Sequence, residues 1–82
     1  TLLVFKTPWC LPCKKLDAVL EQFSNQKDNW DVIILNMDAN QKLAKEFGVS
    51  SVPTTVGFAY SNQLFSHIGF IDLKSLLSLT SV

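Results

Sequence analysis

Cys10 and Cys13, separated by Leu11-Pro12, are the two cysteines of this chain. At that spacing they can pass between a dithiol and a disulfide while the rest of the molecule stays folded. The attacking species in such exchange is the thiolate, so local structure decides which sulfur reacts. Pro12 suits the first turn of a helix, where its absent N–H has no partner to lose. Beyond it Leu16, Val19, Leu20 and Phe23 recur at three- and four-residue spacing, which predicts an amphipathic helix from about Cys10 to Asn25. Cys10 then stands at the helix N-terminus, where free N–H groups and the macrodipole favour a negative charge. That placement lowers a thiol pKa from about 8.5 toward neutrality. The expectation is an exposed nucleophile at Cys10 and a resolving thiol one turn deeper at Cys13.

Two other uses of Cys-x-x-Cys carry less weight. A zinc site needs four ligands, and the rest of the chain offers one histidine, His67, and no second cysteine pair, so no metal is expected. A purely structural disulfide across so short a loop would constrain little chain entropy. The redox reading remains.

Composition bounds the partners. Eighty-two residues make a single domain, 1–82, with a small but workable apolar core, since 48% of the residues are hydrophobic. Seven lysines balance seven acidic residues and arginine is absent. A neutral chain with no basic stripe argues against nucleic acid, and no apolar run approaches the length of a membrane span. No basic-plus-apolar secretion signal opens the sequence. Two cysteines in a mobile motif, with no further disulfide framework, suit a reducing cytoplasm. The expected state is a cytoplasmic monomer.

The elements that must position the cysteines follow from the pattern. Leu2 to Phe5 predicts a buried strand leading into the helix. Gln26–Asp31 reads as a loop, and Val32-Ile33-Ile34-Leu35 as a strand covered on both faces. Asp38 or Asn40 is expected to cap a short helix holding Leu43, Ala44 and Phe47, which Gly48 stops. After the turn Ser50-Ser51-Val52-Pro53, the segments Thr54–Ala59 and Gln63–Ile68 predict a hairpin through Tyr60-Ser61-Asn62. Gly69 breaks its second strand, and Asp72 caps a last helix lined by Leu73, Leu76 and Leu77. The order is βαβαββα, a parallel pair through a helical crossover followed by an antiparallel hairpin.

With Trp9-Cys10-Leu11-Pro12-Cys13-Lys14 after its first strand, Leu35-Asn36-Met37-Asp38 ending its second, then Phe47-Gly48-Val49, Val52-Pro53-Thr54 and Gly69, the chain resembles the thioredoxin family over nearly its whole length. The resemblance implies the α/β thioredoxin fold, a four-stranded mixed sheet with helices on both faces. It implies that Pro53 is cis and faces the cysteine pair. It also implies that Trp9, the backbone of Val52, Pro53 and the Gly69-Phe70 stretch form the groove for an extended substrate peptide, docked main chain to main chain. The implied activity is reduction of protein disulfides through a redox-active Cys10–Cys13 disulfide with no other bound cofactor. A thioredoxin reductase, or glutathione, is the implied electron donor.

Several positions depart from that family. Thioredoxins usually begin with an additional strand and helix, so this chain resembles a minimal core of glutaredoxin size. Val4 stands where the family carries a buried acidic residue, and Ile34 where a lysine partners it. A dry pocket there raises the Cys13 pKa by desolvation, leaving water or a substrate group to take its proton. Leu11 replaces the usual glycine between the cysteines, and Ala18 a kinking proline of the helix. Lys6 shares a sheet face with Val4, one step nearer the cysteines. It is either a solvated strand-end lysine or a cation that favours the Cys10 thiolate, and the same pair of readings applies to Lys14. His67 is expected at the surface. Two further functions compete with the first. One is a glutaredoxin-like enzyme using glutathione, suggested by size and by His67-Ile68-Gly69-Phe70-Ile71-Asp72. The other is a non-catalytic docking module, which an intact cysteine pair disfavours.

Overall fold

The computed structural model describes residues 1–81. In chain order its elements are β1 (Leu2–Lys6), α1 (Leu11–Gln26), β2 (Val32–Asn36), α2 (Gln41–Glu46), β3 (Thr54–Ala59), β4 (Asn62–Ile68) and α3 (Leu73–Leu79). This is the expected βαβαββα order. The strands lie in the sequence β2-β1-β3-β4. β1 and β2 run parallel, joined by the α1 crossover, while β3 is antiparallel to both β1 and β4.

Alternation along β1 divides the core between two faces. Leu2 and Val4 pack with Leu16, Leu20 and Phe23 of α1 and with Leu76 of α3. On the opposite face Leu3 and Phe5 meet Leu43 and Ala44 of α2 together with Val56 of β3. Helices therefore cover both faces, two on one and one on the other. Aromatic pairs complete each side: Phe23 meets Trp30 edge-on at 6.3 Å between ring centroids, and Phe47 meets Phe58 in the same way at 5.1 Å. Gly57 is required by a close approach. The Phe65 ring lies across the ladder where a Cβ at Gly57 would stand, and the β3–β4 register is irregular between Gly57 and Phe58.

Local signals place the ends of these elements. Gly48, at φ +69°, closes α2 in the left-handed region, as its position predicts. Asp72 caps α3, its Oδ1 accepting from the Ser75 N–H at 2.8 Å. The expected cap of α2 does not form. Asn40 occupies the N-cap position, but its side-chain amide donates backwards to the Asn36 carbonyl at 2.9 Å. The Asn36 carboxamide meanwhile accepts from the Asp38 N–H at 2.9 Å. An Asx side chain has several backbone partners within reach, and here the preceding loop wins.

β2 also departs from expectation. It is not covered on both faces: it forms an edge of the sheet, and Ile33 and Ile34 are 44% and 45% exposed. An apolar run signals tolerance of burial. How much cover it receives depends on its place in the strand order, and the helices lie over the middle of the sheet.

Candidate active site

The site is built where β1 hands the chain to α1. After Lys6 the segment Thr7-Pro8-Trp9 turns, and the Cys10 N–H donates to the Thr7 carbonyl at 3.3 Å. Cys10 keeps an extended backbone, φ −88° and ψ 112°, and is the N-cap of α1, with Pro12 in the first turn. The helix thus begins one residue later than the spacing predicts, at Leu11. The consequence is a direct one for the sulfur: Cys10 Sγ accepts the Cys13 N–H at 3.2 Å. A sulfur occupies the position a serine or aspartate oxygen holds in an ordinary cap. Cys10 and Cys13 are joined as a disulfide, with their Cα atoms 5.2 Å apart.

Access to the two cysteines differs less than their positions in the helix suggest. Cys10 is 4% exposed and Cys13 1%. The residues that meet solvent are their neighbours, Trp9 at 72% and Leu11 at 69%. Cys10 is distinguished by its cap hydrogen bond rather than by exposure.

Pro53 and Gly69 come together beside this turn. The Val52–Pro53 bond is cis, the Gly69 N–H donates to the Pro53 carbonyl at 2.8 Å, and Gly69 sits at φ +92°, where a side chain would be strained. Pro53 is buried and Val52 half-buried. Phe70, the next residue, is partly exposed and joins Leu11, Pro12, Lys14 and Lys15 in lining an open apolar groove of about 550 Å³. Of the expected site residues Phe70 and Lys14 line this groove, and Leu11, Pro12 and Lys15 line it with them. Their adjacency to the helix start was the available signal.

Lys6 is held elsewhere. Its ammonium pairs with Asp17 Oδ1 at 2.8 Å, with the two side chains 28% and 48% exposed. The strand-end cation is committed to a carboxylate on the second turn of α1. Lys14 is exposed and belongs to the groove rim. His67 is half-buried rather than at the open surface, and its Nε2 lies 3.1 Å from the Phe70 carbonyl, so it braces the segment that carries Phe70. Val4 is fully buried, whereas Ile34, its partner across the β1–β2 pair, is half exposed, so the dry pocket expected of the two is closed on the Val4 side alone. The Asp72 carboxylate caps α3, as the pattern predicts, through its Oδ1. The Ser75 backbone N–H is the main cause of its pKa lying below the ordinary value. Among the described residues, no three His, Cys, Asp or Glu side chains gather where a metal ion would sit, and no helix is long and apolar enough to cross a membrane.

The chain is similar to known proteins in sequence and in fold. The thioredoxin family model matches residues 1–80. A thioredoxin of Chlamydia muridarum (strain MoPn / Nigg) is 36% identical over 80 residues, 98% of this chain and 78% of that protein. One of Rickettsia typhi (strain ATCC VR-144 / Wilmington) is 38% identical over 74 residues, 89% of this chain and 70% of its own length. Among solved structures, a single-site mutant of a thioredoxin from Halobacterium salinarum superposes with a TM-score of 0.90 at 38% identity, covering 95% of this chain and 68% of that one.

Proposed function

The chain belongs to the thioredoxin family, with its fold and its thiol–disulfide oxidoreductase activity, and from that premise we propose that it reduces disulfides of partner proteins, Cys10 attacking and Cys13 resolving. The observation that carries the assignment is the hydrogen bond from the Cys13 N–H to Cys10 Sγ. The same N–H, with the positive end of α1 behind it, stabilises a thiolate at Cys10 once the disulfide is open.

The Cys10 thiolate attacks one sulfur of the partner disulfide, a Cys10–partner bond forms, and the other partner sulfur leaves with the electron pair and takes a proton. The Cys13 thiolate then attacks Cys10 Sγ, forming the intramolecular disulfide and releasing the second partner sulfur as a thiol. The partner gains two electrons and two protons. A flavoprotein thioredoxin reductase, or glutathione, returns them to the chain in a reducing cytoplasm.

Around the sulfurs, exposed Trp9, Leu11 and Phe70 offer apolar contact. The backbone of Val52 and the Pro53–Gly69 junction offer a main-chain edge for an extended segment. The commitment of Asp72 to its helix cap favours this reading over a glutathione site built on that carboxylate.

Incubation of Cys13→Ser with disulfide-containing proteins is expected to accumulate mixed disulfides, and Cys10→Ser to accumulate none. The reverse pattern exchanges the two roles. A reduction potential near the thioredoxin value of about −270 mV supports net reduction, whereas one near about −120 mV makes the chain an oxidant. Rates of recovery with thioredoxin reductase and with glutathione, measured side by side, identify the donor.

A further inference from the structure

Four threonines are buried in this fold, Thr7, Thr54, Thr55 and Thr80. Two hydroxyls are paired: Thr54 Oγ1 donates to the Ser51 carbonyl at 2.7 Å and Thr80 Oγ1 to the Leu76 carbonyl at 2.8 Å. Thr7 and Thr55 have hydroxyls with no hydrogen-bond partner among the described residues. Thr7 follows the end of β1 and borders the groove on the β2 side, with Pro8 and Asn36. Thr55 is different. It is fully buried in the middle of the sheet, and leaving a hydroxyl unpaired there is costly.

Register fixes which way Thr55 faces. It is directly opposite Val4 in the β1–β3 ladder, so both side chains stand on one face of the sheet. Val4 packs in the cluster that contains Leu16 of α1. The buried stripe of α1 runs Cys13, Leu16, Leu20, Phe23, and α1 returns antiparallel to β1. One turn from Leu16 towards the start of the helix is Cys13, over the end of β1 where β3 begins. The unpaired hydroxyl and the buried cysteine thus share the layer between α1 and the sheet.

We propose that the Thr55 hydroxyl is a hydrogen-bond donor to the Cys13 thiolate, unpaired in the disulfide state and engaged when the disulfide opens. A thiolate is a much stronger acceptor than a disulfide sulfur, and in a dry pocket it needs a donor. Burial disfavours the charged form of a thiol, and a hydrogen bond donated to the thiolate offsets that cost. In the resolving step Cys13 loses its proton to water and its thiolate attacks Cys10 Sγ. The bond from Cys10 to the partner sulfur breaks, and that sulfur leaves with the electron pair. Thr55 keeps its own proton throughout.

The charged and titratable groups of the surrounding elements are paired or exposed. Lys6 of β1 is paired with Asp17 of α1. Lys14, Lys15 and Glu21 of α1 are exposed. His67 of β4 is Thr55's neighbour across the ladder and is held at the Phe70 carbonyl. Asp72 caps α3 and Lys74 lies exposed in its first turn. β2 and β3 carry no charged side chain.

This inference rests on Cys13 as the resolving thiol, and the test separates the two. The reduced chain is mixed with a chromogenic aromatic disulfide, which releases one thiol when Cys10 attacks and a second when Cys13 resolves. Rates of both releases are measured against pH. Thr55→Val, which keeps the shape, is expected to move the profile of the second release up by about one pH unit, a tenfold slowing at neutral pH. The first release should be unchanged, and the second should regain its wild-type rate in strong alkali. Thr55→Ser restores the wild-type profile, and His67→Gln leaves the Thr55→Val shift in place. A wild-type profile in Thr55→Val, or a Thr55→Ser profile like that of Thr55→Val, overturns the role of Thr55. A second release that persists in Cys13→Ser overturns both the resolver assignment and the inference built on it.

Discussion

On the face covered by α2, the rings of Phe5, Phe47 and Phe58 meet in sequence, at 6.4 Å and 5.1 Å between centroids, and the buried Thr54 hydroxyl there is paired. On the face covered by α1 and α3, the same sheet carries the cysteine pair, the Lys6–Asp17 ion pair, His67 and a hydroxyl with nothing to bind. The ionisable and redox-active groups near the core thus gather on the α1 side of the sheet. Both faces carry apolar core, and the reactive groups are added on one of them.

Mutations that separate the two faces break or sharpen this division. The largest effects are expected from a matched pair. Phe5→Ala should lose about 3–5 kcal/mol of stability in chemical denaturation, while the thiol-exchange rate of the molecules that remain folded stays near wild type. Cys10→Ser should do the opposite, abolishing turnover while the reduced proteins unfold at similar denaturant concentrations. A Phe5→Ala protein with wild-type stability, or one with strongly altered thiol chemistry, would mean that the faces are not independent.

A smaller effect is expected at Lys6→Ala. Both partners of its ion pair are partly exposed, so screening limits the loss to about 0.2–1 kcal/mol. With the ammonium already held by Asp17 and Val4 in place of a buried carboxylate, alkylation of Cys10 against pH should follow a single-proton curve in both proteins, with nearly the same midpoint. A two-step curve would reveal an acid coupled to the site. The smallest effect belongs to Asp72→Asn. Hydrogen bonding from Ser75 lowers the folded-state pKa of Asp72, so the charge contributes stability above the ordinary carboxylate value, and that contribution is lost as pH falls through the folded pKa. The variant should melt slightly lower at neutral pH, and the two melting curves should converge in acid.

The sequence is informative here wherever the cause is local. Helix periodicity, Pro12, Gly48 and the Asp72 cap each act within a turn of themselves, and each appears where the pattern puts it. The Val-Pro-Thr match likewise leads to a cis bond at Pro53. What escaped the pattern depends on partners distant along the chain. Lys6 finds Asp17 only because α1 folds back over β1. The exposure of Ile33 and Ile34 follows from strand order, since the same apolar run would read alike in the middle of the sheet. Near burial of Cys10 depends on what packs over the helix start, which a motif does not show. The unpaired state of Thr55 is set by the β1–β3 register.

The hairpin at the other end of the sheet carries a consequence for handling the molecule. Tyr60 and Ser61 form its two-residue turn with φ of 53° and 70°, left-handed values that cost an L-residue about 1–2 kcal/mol each. Glycine at position 61 would relieve part of that cost. Tyr60 is almost wholly exposed, and β3 runs its full length between this turn and Pro53. A fluorophore, a surface tether or an inserted peptide placed there would ride on the fold without entering the groove, which makes this turn the natural attachment point for a redox sensor built on the chain.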